Sequence, residues 1–132
     1  MKRAGACLRY AEFQEEQTMT DCLFCKICAG QIPATITYRD DEIVAFKDIG
    51  PKAPLHELVI PIGHIASLAD GKPSDAALLG KLMLVAAERA RAVGLSERGF
   101  RVVVNSGPEA GQTVQHLHLH VLAGRELSWP PG

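Results

Sequence analysis

No cysteine occurs after Cys28 in this 132-residue chain. The four present, Cys7, Cys22, Cys25 and Cys28, crowd into its first segment, so disulfides cannot staple the remainder. A secretory leader is not expected either. "MKRAGACLRYAEFQEEQ" opens basic, but no apolar run and small-residue cleavage site follow. Glu12, Glu15 and Glu16 argue against an organelle-targeting segment. A reduced, cytoplasmic protein is therefore expected rather than a disulfide-built secreted domain. No apolar stretch approaches the roughly 18 residues of a membrane span. Lys plus Arg number 14 against 15 Asp plus Glu. With no extended basic run, a nucleic-acid groove built on phosphate neutralisation is not expected, although a local anion site is compatible.

What remains is an ordinary globular composition, 47% apolar and 22% charged, of a length suited to one domain. Met19 opens "MTDCLFCK" like a natural start, so residues 1–18 read as an extension and 19–132 as the domain. "DCLFCKICAG" predicts a short helix from Asp21 to Gly30. "ATITYRD" and "EIVAFKDI" alternate around Asp40-Asp41 as a hairpin, and "HELVIPI" is a third strand. "GHIASLADGKP" reads as a loop with a helical turn, which leaves His64 exposed. Ser74 can cap a helix running to about Val93, with Leu78, Leu82, Val85, Ala86 and Arg89 at helical spacing and Gly94 as its stop. "RVVVNS" is a strand, "GPEAGQ" a glycine loop, and "TVQHLHLHVLAG" the last long strand, before the tail "SWPPG". The order predicts an α+β fold, an antiparallel sheet with one main helix.

The last strand carries the chemistry. Successive strand side chains point to opposite faces. His116, His118 and His120 therefore share one face, and Leu117, Leu119 and Val121 face the core and fix the register. A histidine row has three readings: a tolerated polar face, a metal site, or a phosphoryl site where imidazole serves as nucleophile, acid or base. The preceding loop favours the third. Gly107 and Gly111 allow backbone N–H groups to approach an anion, and Thr113 adds a hydroxyl.

"GQTVQHLHLHV" resembles the histidine-triad motif. "FCKICAGQIPATITYRDDEIVAFKDIGPKAPLHELVIPIGHI" and the closing "GRELSWPPG" resemble its Hint branch, the histidine-triad nucleotide-binding proteins, over roughly residues 20–132. The resemblance implies a five-stranded antiparallel sheet with a main helix and a short N-terminal helix, joined in a homodimer into ten strands. It implies hydrolysis of purine nucleoside phosphoramidates of the AMP–amine type. His118 is then the nucleophile, with His120 and His56 as its flanking partners. Asn105 and the segment Gly111, Gln112, Thr113 contact phosphate and leaving group. Asp48 holds the ribose, with Ile49, Phe24 and Ile27 around the base. Thr113 stands where this branch often has serine. The tail implies that Trp129 shapes the leaving-group side of the partner's pocket. No catalytic cofactor is implied. Cys22 and Cys25 form a C-x-x-C spaced for one tetrahedral metal, which needs about two further ligands. Bacterial proteins carrying this pair imply His64 and His116 for a structural zinc, with Cys28 as substitute should His64 point elsewhere. Two rival functions are a dinucleoside polyphosphate hydrolase of the same superfamily and a nucleotide-binding adaptor with little turnover.

Overall fold

The structure, a computed structural model, describes residues 21–132. The extension at 1–18, Cys7 and the start at Met19 lie outside the described residues. Five strands form one antiparallel sheet: β1 (Ile36–Arg39), β2 (Ile43–Lys47), β3 (Leu55–Pro61), β4 (Phe100–Val104) and β5 (Leu119–Ala123), in spatial order β1-β2-β3-β5-β4. Helix α1 (Leu23–Cys28) covers part of one face, and helix α2 (Ala76–Ala92) packs on β3 and β5 across the other. No helix among the described residues is long and apolar enough to cross a membrane.

The hairpin turns where Asp40 makes it turn. Its Oδ1 accepts the amides of Glu42 at 2.7 Å and Ile43 at 2.8 Å, the side-chain mimicry of a turn that favours Asp there. Two layers cover the central strands, so β2 and β3 are buried along nearly their whole length. Alternate residues divide between two cores. Val44, Phe46, Leu58 and Ile60 pack with α1. Ile43, Ala45, Val59, Leu119 and Val121 pack with Leu82, Val85, Ala86 and Ala90 of α2. Each fully buried Val, Leu, Ile or Phe side chain among them contributes about 1.5–3 kcal/mol. Arg89, on the same helical stripe, faces the sheet because Glu57 of β3 is buried there. Its Nε donates to Glu57 Oε1 at 2.8 Å, and Thr37 donates to the same oxygen at 2.9 Å.

Three local expectations are corrected. The cap of α1 is Cys22, not Asp21, because the Cys22 sulfur accepts the Cys25 amide at 3.3 Å. Ser74 does not cap α2. Pro73 opens a 3-10 turn, Pro73–Asp75, and Asp75 accepts the Lys72 amide at 2.9 Å, so the helix begins at Ala76. The last strand is shorter than 113–124 and starts only at Leu119. Its ladder with β3 ends at the pair Val59↔Leu119. Two residues further along stands Pro61, which has no N–H to continue it. Gly94, at φ +77°, ends α2 where expected.

Candidate active site

The histidine row survives the shortened strand. β5 buries Leu119 and Val121 against α2 and turns His120 to the opposite face. His118, just before the strand, keeps that side, with its ring centroid 5.1 Å from that of His120. His56 and Leu58 of β3 share this face, since Leu58 lies opposite His120 in the register. Phe24 of α1 closes the arrangement, its ring edge-on to His118 at 5.2 Å and to His116 at 5.8 Å. A cavity of about 910 Å³ opens here, with His118 and His120 in its wall.

Hydrogen bonds fix the tautomers. The carbonyl of His116 lies 2.8 Å from His118 Nδ1. A carbonyl only accepts, so Nδ1 carries the proton and Nε2 keeps its lone pair. The backbone amide of Lys52 donates to His56 Nδ1 at 3.0 Å. His56 therefore holds its proton on Nε2, which lies 3.0 Å from His120 Nδ1 and 3.4 Å from Asp48 Oδ2. His120 accepts on Nδ1 and carries its proton on Nε2. The result is a relay from the Lys52 amide through His56 to His120, beside a His118 ring with one basic nitrogen.

Burial disfavours charge on all three rings. It depresses His56 and His118 below their ordinary value. It pushes His120 down to about 4, aided by the charges of His118 and His56. The sign of the pH response follows. A base with a lowered pKa keeps its lone pair further into acid, so kcat/KM should stay flat from pH 7.5 to 6.5 and fall only below. Stability should also decline in acid. The unfolded chain takes up protons first, near 6.5, and this loss is complete below about 4, where folded His120 also protonates. A pH–rate profile whose acid limb lies above pH 7 would contradict these assignments.

Most of the expected nucleotide residues line the same cavity: Phe24, Ile27, Asp48, Ile49, Asn105, Gly111 and Thr113. Ile49 is fully exposed at its rim. Asp48 accepts the Gly50 amide on Oδ1 at 2.7 Å, which fixes its carboxylate beside His56. The loop between β4 and the histidines turns at Gly107 and Gly111, at φ +94° and +90°, where a side chain would be strained. Gln112 is placed differently, buried beneath the loop rather than in the cavity wall. Its amide accepts from Gly107 N at 2.9 Å and donates to the carbonyls of Ala66 and Val114. It braces the loop. His56 stands behind His120 rather than in the wall, and Trp129, 80% exposed, lies away from its own chain's cavity. Ile32, Phe46, Leu58 and Val114 also line the apolar wall. Of these, Phe46, Leu58 and Val114 were legible only as strand residues.

A second cluster lies behind Phe24. His64 is buried, contrary to expectation, and its Nδ1 stands 3.5 Å from the Cys25 sulfur. His116 Nδ1 lies 3.3 Å from Cys22 Sγ and 3.6 Å from Cys25 Sγ. His116 Nε2 donates to the Pro61 carbonyl at 2.8 Å, so Nδ1 presents a lone pair to the sulfurs. The side chain of Cys25, then the two histidines, holds the Cys22 thiol far below its usual value despite burial. All four donor atoms lie within 4.8 Å of one another. A tetrahedral ion with Zn–S near 2.3 Å and Zn–N near 2.0 Å would have S···N edges of about 3.6 Å. The three S···N distances above match, so these four residues can hold one such metal. Cys28 is buried one turn away, outside this group.

The HIT domain family matches residues 29–127. The chain belongs to the HIT family. It is 52% identical over 112 residues to a HIT-like protein of Synechocystis sp., covering 85% of this chain and 97% of that one. A crystal structure of a HIT family hydrolase from Legionella pneumophila is 50% identical and superposes with a TM-score of 0.84, covering 85% of this chain and all of the other. A zinc-bound histidine triad family protein from Mycobacterium smegmatis is 35% identical, with a TM-score of 0.71 over 83% of this chain and 81% of that one. In this HIT protein the family segment contains all five histidines, whereas Cys22, Phe24 and Cys25 precede it.

Proposed function

We propose that this protein is a hydrolase of the Hint branch that cleaves purine nucleoside phosphoramidates of the AMP–amine type through a nucleotidyl-histidine. One observation carries the reading. The His116 carbonyl fixes the proton of His118 on Nδ1 and leaves Nε2 basic in the wall of the cavity. In the first step, Nε2 attacks phosphorus, the P–N bond breaks, and the amine departs with a proton. His120, protonated on Nε2 through its bond from His56, is the donor we assign. Water then attacks phosphorus, the Nε2–P bond breaks, and the water proton returns to His120 as AMP leaves with His118 restored. Asn105 and Thr113 are assigned to the phosphoryl oxygens, and Asp48 to the ribose. The apolar wall of Phe24, Ile27 and Ile49 suits a purine face.

The reading includes a homodimer, supported by β4, which has one unpaired edge among the described residues. It also includes zinc at Cys22, Cys25, His64 and His116, supported by the matching donor spacing and the zinc-bound relative. That ion would supply a structural crosslink, leaving His118 to the chemistry.

The test is a panel of AMP and GMP phosphoramidates run beside diadenosine polyphosphates. Faster release of AMP from the amides is expected. Exclusive cleavage of the polyphosphates, or no release from either, would overturn the reading. Removal of residues 128–132, which takes Trp129, should reorder the amine leaving groups several-fold while AMP binding stays within about twofold, an effect below about 0.5 kcal/mol. An unchanged ranking would limit Trp129 to anchoring the tail.

A further inference from the structure

A second concave site lies at the far end of the sheet. The segment Arg98–Arg101 at the start of β4 and the segment after β5 enclose a groove of about 450 Å³. Arg98, Arg101 and Arg125 line it, and the single carboxylate among its lining residues belongs to Glu126. None of the three arginines forms an ion pair among the described residues, whereas Arg89 has Glu57 and Arg91 has Glu88. Arg98 donates to the Gly124 carbonyl and Arg101 to the Leu127 carbonyl, each once and at 3.4 Å. A guanidinium has five N–H donors, so most of theirs are uncommitted. Three like charges in one groove repel one another, and a bound anion relieves that repulsion.

The groove is built rather than incidental. Gly124 sits at φ +101°, and a Cβ there would come within 2.7 Å of Pro54. Only glycine permits this close turn, and the turn delivers Arg125. Arg125 Nε donates to the Lys52 carbonyl at 2.8 Å. The Lys52 amide is the group that donates to His56, and His56 meets His120. The groove and the catalytic histidines thus both hold the backbone of Lys52, one through its carbonyl and the other through its amide. They also share a face. Arg101 lies opposite Leu122 and Val103 opposite His120, so Arg101 follows the histidine side of the sheet by one strand repeat, about 7 Å.

We propose that Arg98, Arg101 and Arg125 form a binding site for an oxyanion, a carboxylate or phosphate group. It can come from two sources, an acidic group on the leaving amine of the substrate or a free anion. Only the first source rests on the phosphoramidase reading.

The first measurement titrates inorganic phosphate into the full-length protein saturated with AMP, which blocks the catalytic cavity, and follows backbone amides and arginine Nε–H groups by NMR. Saturable shifts at Gly99, Gly124 and the three arginines are expected. In Arg98→Gln with Arg101→Gln they should require about tenfold more phosphate or more, as two charge-assisted contacts are lost. Arg98→Lys with Arg101→Lys, which keeps the charge but loses the planar fork, should fall between. Thermal unfolding confirms that each variant is folded. Shifts confined to residues 107–113, no shifts, or binding that persists in the glutamine variant would overturn the site. The second measurement compares two AMP phosphoramidates whose amines differ by one carboxylate. A lower KM for the acidic amine, lost in the glutamine variant with kcat for the neutral amine unchanged, identifies the substrate as the source. Equal KM values alongside groove-specific phosphate binding identify a free anion. Turnover of neither amide would sink the phosphoramidase reading and leave the phosphate result standing.

Discussion

His118→Ala is expected to lower phosphoramidate turnover by about 10⁴-fold or more, while the protein stays folded. The ring supplies the attacking nitrogen, and no neighbour can replace it. His120 Nδ1 is occupied by His56, and the lone pair of His116, on Nδ1, faces the Cys22 and Cys25 sulfurs. The structural cost is small by comparison. His118 already lines a cavity, so truncation widens an open space instead of leaving a sealed void in packed core. It loses an edge contact with Phe24 at 5.2 Å, a pair of the kind worth about 0.5–1.5 kcal/mol. Leu117 and Leu119, on the other face, keep the register. His118→Gly should also lower stability, because it loosens the backbone. Acid quenching of a reaction with labelled substrate, followed by peptide mapping, reads the outcome directly. Label found on a residue other than His118 in the wild type would sink the assignment, as would an alanine variant retaining more than about a tenth of the rate.

The sequence exposes the side chains whose roles depend on alternation, and conceals those whose roles depend on what folds against them. The leucines between the histidines announce which face is core, and Leu119 and Val121 are buried as that pattern requires. Asp40 and Gly94 are equally legible, because a turn and a helix stop are local events. Pro61 shows the limit. It ends the ladder of a strand it does not belong to, through a register that the sequence of β5 alone cannot reveal. Glu57 is another such case. A carboxylate inside "HELVIPI" looks like the polar face of a strand until α2 lays Arg89 against it. Gln112 sits within the glycine loop and so resembles a ligand, yet its amide is consumed beneath the loop. The tautomer of His118 is set by a backbone carbonyl, and Lys52 orients His56 with its amide rather than its ammonium. Side-chain identity carries no trace of either.

Replacing both Cys22 and Cys25 with serine is expected to abolish a bound zinc and to cost about 3–5 kcal/mol, roughly 10–20 °C in Tm. Free energies of structural zinc binding in peptides are larger, about 10–16 kcal/mol, because there the metal also organises the chain. Here the sheet and the hydrogen bond from His116 to Pro61 orient that imidazole without it, so less of the binding energy is tied to folding. The remainder should fall on α1. This six-residue helix is too short to be stable alone. Apart from the apolar contacts of Phe24 and Ile27, the two sulfurs are its link to His64 and His116. Losing the metal should therefore loosen the wall of the nucleotide cavity that Phe24 and Ile27 supply, and AMP should bind several-fold more weakly even where His118 is intact. Serine keeps the size of each side chain and the cap on the Cys25 amide, so the change isolates metal ligation from packing. Elemental analysis of protein purified without chelator should give close to one zinc per chain in the wild type and none in the double variant. Hydrogen exchange should quicken over residues 23–28 before it does in the sheet. A wild type that is metal-free and no more stable than the double variant would reduce the cluster to two buried thiols hydrogen-bonded to two histidines.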